Sequence, residues 1–195
     1  SQRVVSSIDE IPGAAEQLAS RLALKAFGPD ILHKTELGAV ETGLAGPDEA
    51  YEAAREMEAR LSAHGISVST WVLQSMAEDG VEVLLGAVHD PQFGPVVACG
   101  AGGILVEVMN DISFRLTPLT RTDASEMVQE RKSSRLLTGF RGEPARDVDA
   151  LEDALLRLGK MADDLPQIAE LDCNPAFVHN QGVTIVDARI RVAPI

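Results

Sequence analysis

Apolar residues in this chain fall into short runs separated by turn residues, with a few longer helical stretches between them. Residues 3–6 form a brief β-branched run. Residues 9–22, rich in Ala, Leu and Glu, predict a helix with Pro12 in its first turn. Leu22–Phe27 predicts an apolar strand interrupted by one charge, Lys25, and residues 28–35 a loop headed by Gly-Pro-Asp. Val40–Leu44 reads as a strand. Pro47–Ala63 reads as a helix, with Pro at its start and Gly65 beyond its end. The opening is therefore strand, helix, strand, loop, strand, helix.

The middle of the chain changes period. Residues 68–76, 81–89, 96–99 and 113–118 are Val-, Ile- and Leu-rich and predict consecutive strands, with a turn at 90–95 and a glycine loop at 100–103. Residues 122–129 and Val148–Asp164 have amphipathic helical spacing, and either Asp147 or Asp149 can cap the second. Residues 168–172, 176–178 and 183–187 return to strand. Repeats and low-complexity tracts are absent. The alternation gives a mixed α/β, or α+β, class.

Composition narrows the partners. The 195 residues are 45% hydrophobic but only 4% aromatic, so the core is built from aliphatic side chains. Lys and Arg total 17 against 30 Asp and Glu, a net charge of −13. Such a surface repels nucleic acid and anionic membrane, but a local donor cluster with a divalent cation can still hold a nucleotide. The two cysteines, Cys99 and Cys173, suggest neither a disulfide framework nor a zinc site. No apolar run reaches membrane-span length and no signal-peptide pattern opens the chain, so a reducing cytoplasm is the expectation. Ser1 enters a strand with no turn before it, as expected of a domain taken from a longer chain.

Four constellations could carry chemistry. His33 and Lys34 follow a Gly-Pro-headed loop. Imidazole is nucleophilic near neutral pH and lysine offsets phosphate charge, although a solvated pair would look the same. Lys25 in an apolar strand is either a phosphate ligand or an outward-facing edge residue. Gly100, Gly102 and Gly103 could bring backbone N–H groups to an anion, or form a plain turn. Asp172 and Asn174, two apart at a strand end, would share a face and offer hard oxygens to Mg²⁺, with Asp187 as a third donor. The competing reading is a polar Asn-Pro turn.

With these four in this order, the sequence resembles the ATP-grasp domain of ADP-forming acetate–CoA ligases, relatives of the succinyl-CoA synthetase β subunit. The matching stretches are LALKAFGPDILHKTELGAV, WVLQSMAEDGVEVLLGAVHDPQFGPVVACGAGGILVEVMNDISFRLTPL, LLTGFRG and IAELDCNP, spanning roughly residues 22–190. PDILHKT and DPQFGP are the most specific. The resemblance implies an ATP-grasp fold of two α+β subdomains holding a nucleotide between them: a partial one at residues 1–70 and a second at 71–195. It implies the reaction acyl-CoA + ADP + phosphate ⇌ acid + CoA + ATP. A histidine of a separate CoA-binding domain or subunit is phosphorylated first, and His33 matches a second carrier.

By the same resemblance Lys25 and Lys34 meet nucleotide phosphates, and Gln74, Ser75 and Met76 form the hinge that reads adenine. Glu82 faces ribose or phosphate, and Gly100, Gly102 and Gly103 cradle phosphate. Asp172, Asn174 and Asp187 hold Mg²⁺, while Glu107 and Arg115 lie toward the phosphates. The sequence departs from the family at Gly38-Ala39 and at Cys99-Gly100-Ala101-Gly102-Gly103, where the glycine pattern is altered conservatively. The family's first strand and helix and its CoA-binding domain fall outside the match, so this chain is not expected to run the whole cycle alone. Homo-oligomerisation stays open. The alternative is a non-catalytic nucleotide-sensing or scaffolding domain fused to a protein acetyltransferase. A dinucleotide-binding oxidoreductase fits poorly, because the glycine loop comes late, among hairpin strands.

Overall fold

The computed structural model describes residues 1–18, 21–31, 37–102 and 111–193. It divides into two units, Ser1–Met76 and Ala77–Ile195. The mixed α+β class expected from the sequence holds, with antiparallel sheets in both units.

The first unit contains β1 (Gln2–Val5), a 3₁₀ turn (Ile8–Glu10), α1 (Ile11–Ala15), β2 (Leu22–Phe27), β3 (Val40–Leu44), α2 (Pro47–Ala63) and β4 (Thr70–Ser75). Its sheet runs β1-β4-β2-β3, every pair antiparallel. Ala50, Ala54, Met57 and Leu61, spaced three and four apart on α2, pack with Leu22, Leu24 and Ala26 of β2 and Trp71 and Leu73 of β4. Gly65, at φ +74°, takes the left-handed turn that releases the chain from α2.

Two sequence expectations change here. The helix expected over residues 9–22 shrinks to a 3₁₀ turn and the five residues of α1. Pro12 and Gly13 support a helix start but not its propagation, and by Leu22 the chain is already paired in the sheet. The boundary expected at 70/71 falls instead between Met76 and Ala77. The reason is that β4 lies between β1 and β2 and belongs to the first sheet.

The second unit contains β5 (Val81–Asp90), β6 (Gly94–Ala101), β7 (Ile112–Leu116), α3 (Arg121–Gln129), α4 (Ser134–Leu137), a second 3₁₀ turn (Phe140–Gly142), α5 (Val148–Asp164), β8 (Ile168–Val178), β9 (Val183–Ile185) and β10 (Arg189–Val192). The sheet order is β10-β8-β5-β6-β7, with β9 on β8. Val83, Leu85, Ala87, Val97 and Cys99 point to one face, where Leu151, Leu155 and Leu158 of α5 and Met127 and Val128 of α3 cover them. Helix α3 begins with a capping box: the Thr120 hydroxyl accepts from Asp123 N–H, and the Asp123 carboxylate accepts from Thr120 N–H. Asp147, not Asp149, caps α5, accepting from Ala150 N–H at 3.0 Å.

The two strands expected at 168–172 and 176–178 are one, β8, so Asn174-Pro175 is not a turn. Pro175 has no N–H to donate, and it is tolerated because the β5–β8 register shifts there: Val83 pairs with Ala176 and Leu85 with Cys173. Inward positions switch accordingly, from Leu171 and Cys173 to Ala176 and Val178. Strand β10 has no counterpart among the elements expected from the sequence.

Candidate functional site

On β2, Leu24 and Ala26 face the helices, and alternation turns Lys25 to the opposite face. There Lys25 pairs across the strands with Val72 and Val40, and it is only 7% exposed. The solvated edge lysine that the sequence allowed is therefore excluded, because β2 is an interior strand and the ammonium group is buried. Gln74 and Ala23 sit further along β4 and β2, directly paired and on the same face. At the end of β4, Ser75 N–H donates to Ser1 O at 3.0 Å and Met76 N–H to Arg21 O at 2.9 Å. Those two amides are thus engaged within the unit. His33 and Lys34 lie outside the described residues, as do Gly103 and Glu107.

The second unit carries the other group of residues. The glycine loop expected at 100–103 begins later, because Gly100 and Ala101 are strand residues of β6. Gly100 pairs with Leu84 on one side and Ile112 on the other. Gly102 lies directly against β5, its N–H donating to Glu82 O at 3.0 Å. A Cβ on Gly102 would fall 2.4 Å from Glu82 Cγ and 2.7 Å from Glu82 C. Only glycine lets the chain leave β6 this close to Glu82.

Glu82 and Asp172 lie on the face of the sheet opposite the helices, since Val83, Leu85 and Leu171 fill the core. Asp172 is flanked by Gly86 on β5 and Arg189 on β10. Burial, with Glu170 and Asp187 close by, raises its carboxyl above the ordinary range, and Arg189 partly offsets this. Asn174 is exposed at the register shift. Val186 N–H donates to Pro175 O at 3.0 Å, which continues the β8–β9 register by one step and makes Asn174 and Asp187 the next positions across it, with Asp187 close enough to act on Asp172. Among the described residues no group of three or more His, Cys, Asp and Glu side chains could hold a metal by itself. This end offers two carboxylates and an amide, a donor set suited to a hard cation whose shell is completed by phosphate and water.

Arg115, expected toward the phosphates, is on the other side. It pairs with Val97 of the core face and forms ion pairs with Glu126 of α3 at 3.5 Å and with Glu130, just past the end of α3, at 2.9 Å. Cys99 is inert: burial pushes its thiol up to about 11. Two charged residues carry no signal in the sequence. Arg189 stands opposite Asp172 on β10. Arg131, just beyond α3, is buried, and among the described residues its guanidinium nitrogens have no hydrogen-bond partner. No helix among the described residues is long and apolar enough to cross a membrane.

Residues 1–192 match the model of a protein family described as an ATP-grasp domain. The chain is 35% identical over 190 residues to the β subunit of acetate–CoA ligase [ADP-forming] I of Pyrococcus furiosus, covering 96% of this chain and 82% of that one. It is 37% identical over 190 residues to acetate–CoA ligase [ADP-forming] I of Archaeoglobus fulgidus, but spans only 27% of that protein's length. Among solved structures, a dinucleotide forming acetyl-coenzyme A synthetase 1 of Ca. Korarchaeum cryptofilum, in complex with coenzyme A, Ca-AMPCP and HgCl⁺, superposes with a TM-score of 0.94 at 36% identity. That match covers 99% of this chain and 85% of the other.

Proposed function

Because the chain belongs to this ATP-grasp family, we propose that it is the nucleotide-binding part of an ADP-forming acyl-CoA synthetase and moves a phosphoryl group between a phosphohistidine and ADP. The observation that carries this reading is Lys25, a lysine buried on an interior strand of a chain whose relatives are ADP-forming acetate–CoA ligases. A lysine held on that face of the sheet offers a positive charge to which the phosphates of a nucleotide can bind. A relative's structure with a calcium-bound nucleotide analogue and coenzyme A supports the same ligand class.

Asn174 and Asp187, with Asp172, would hold Mg²⁺, which when bound neutralises phosphate charge. Burial first, and then Glu170 and Asp187, raise the Asp172 carboxyl, and a cation there would offset the acidic neighbours. Gly102 lets the backbone pass close to Glu82 with no side chain in the way. Glu82 faces ribose or phosphate, and Gln74, Ser75 and Met76 the base.

His33 is the second phosphoryl carrier. Its imidazole nitrogen attacks phosphorus on the donor phosphohistidine, forming one P–N bond as the other breaks. A terminal phosphate oxygen of ADP then attacks, breaking the bond to His33 and forming the P–O bond of ATP. Lys25 and Lys34 offset the charge in transit. The donor histidine and the CoA site belong to a CoA-binding domain or subunit, consistent with the β-subunit match. Nucleic acid and membrane are not partners in this reading, and the compartment is the cytoplasm.

The test is transfer from the phosphorylated CoA-binding subunit to ADP. His33→Asn is expected to keep ADP affinity within about twofold and to lose transfer by at least about a thousandfold, since the nucleophile itself is gone. Transfer at near wild-type rate would reduce His33 to a binding residue.

A further inference from the structure

The β8–β9 hairpin carries Asn174 and Asp187 at its open end, and its tip is fastened to a helix on the far side of the sheet. The tip, residues 179–182, closes on itself through His179 N–H to Gly182 O at 3.0 Å. Gly182 takes a φ of +80°, a turn conformation that favours glycine. Three hydrogen bonds then cross from the start of α5. Asp147 N–H donates to His179 O at 2.8 Å. The Asp147 carboxylate accepts from Gly182 N–H, also at 2.8 Å. Arg146 Nη1 donates to Asn180 Oδ1 at 2.8 Å.

The same carboxylate caps α5 with its other oxygen. One side chain therefore joins the hairpin tip to the helix whose Leu151 and Leu155 are fully buried in the core. The tip N–H and the cap N–H together hold the Asp147 carboxyl below the ordinary range. Strand β9 is three residues long, and among the described residues its one strand neighbour is β8, through Val178–Val183, Phe177–Thr184 and Ala176–Ile185. His179 Nε2 and Thr184 Oγ1, 2.9 Å apart, add a side-chain link. In a hairpin the turn sets the register, and a slip of one residue reverses which side each residue faces. What holds the tip therefore also bears on which residues stand opposite each other at the open end, where Asn174 and Asp187 are.

From this arrangement we infer that Asp147 is a positioning residue for the cation end of the site: it sets the β8–β9 register and so holds Asp187 against Asn174. This rests on the assignment of Asn174 and Asp187 to the cation, proposed above. Asp147 itself touches neither nucleotide nor metal.

Asp147→Ser tests it, because a serine hydroxyl still caps α5 but is too short to reach Gly182 as well. Two readouts separate the inference from the reading beneath it. In hydrogen exchange, the Val186 amide, bonded to Pro175 O, loses protection by about tenfold or more in the variant, while amides in the middle of α5 do not change. In calorimetric titration, affinity for ADP with Mg²⁺ falls by about tenfold, as for other residues that orient metal ligands, while affinity without metal stays within about twofold. Asn180→Ala, which removes only the Arg146 link at the exposed tip, shifts both readouts the same way by less. Unchanged Val186 protection in Asp147→Ser, or unchanged Mg²⁺-dependent affinity in that variant when the wild type shows such dependence, overturns the inference. A wild type without Mg²⁺ dependence overturns the cation assignment instead, and the exchange readout still reports whether Asp147 sets the register.

Discussion

At the scale of single residues, burial decides what each charge can do. Lys25 and Asp172 both lie on the sheet face turned away from the covering helices of their own unit. For Lys25, alternation along β2 is legible in the sequence, but the choice between an edge and an interior strand is not. That choice depends on β3 and β4 pairing from both sides, which requires strands distant in sequence to be placed first. For Asp172 the environment gives a pH dependence. Its folded carboxyl is raised by burial and by Glu170 and Asp187, so the folded chain holds the proton more tightly than the unfolded chain does. Without metal, stability therefore falls as pH rises from the ordinary carboxylate range through the raised value. Because Asp172 is partly exposed, the effect is on the order of tenths of a kcal/mol after solvent screening. Urea unfolding of wild type and Asp172→Asn across that range is the check: the variant should show a flatter profile and slightly greater stability at neutral pH. Parallel profiles would mean that neither burial nor the neighbouring carboxylates raise the Asp172 carboxyl in the folded chain.

At the scale of elements, the glycine-rich stretch shows where sequence reading stops. GAGG looks like one loop, yet Gly100 lies inside β6 and Gly102 marks its exit. A Cβ at Gly100 meets nothing closer than 3.5 Å, whereas at Gly102 it meets Glu82 Cγ at 2.4 Å and Val83 N at 2.8 Å. Gly102→Ala is accordingly expected to cost about 2–3 kcal/mol, as overpacking against backbone does, while Gly100→Ala costs about 1 kcal/mol or less. Chemical denaturation of the two variants separates them, and equal losses would mean that β5 and β6 give way more easily than these distances imply.

The same contrast runs through the rest of the fold. Helices α2 and α5 and strands β2 and β3 are legible to the residue, because caps and apolar spacing agree along them. The region of α1 is not, because Ala- and Leu-rich composition outlasts the helix that Pro12 and Gly13 allow. Asn174-Pro175 reads as a turn because only the register shift against β5 makes room for a proline in β8. β10 pairs with β8 through alternating charged and apolar residues, Arg189 to Val192, too short a pattern to stand out alone.

At the scale of the molecule, two units with separate cores each carry candidate residues of their own. Lys25 and the residues at the end of β4 belong to the first, and Glu82, Gly102, Asp172, Asn174 and Asp187 to the second. The order of the chemical groups along the chain, and the family that this order resembles, are legible in the sequence alone. What their neighbours do to them is not. The engaged amides of Ser75 and Met76, the turn of Arg115 toward α3 and the clamp at Asp147 all arise from contacts between residues far apart in the chain. The net charge of −13 sharpens the requirement on the site, because an anionic nucleotide must be met by local cations against the field of the whole surface.

Calorimetric titration with ADP, in Mg²⁺ and in chelator, tests most directly whether this chain holds a nucleotide. The wild type is expected to bind in Mg²⁺ and at least about tenfold more weakly without it, and Lys25→Met, which keeps the apolar stem and loses the charge, to lose a further tenfold or so. The absence of binding in both conditions, or a Lys25→Met variant that binds as the wild type does, would contradict it.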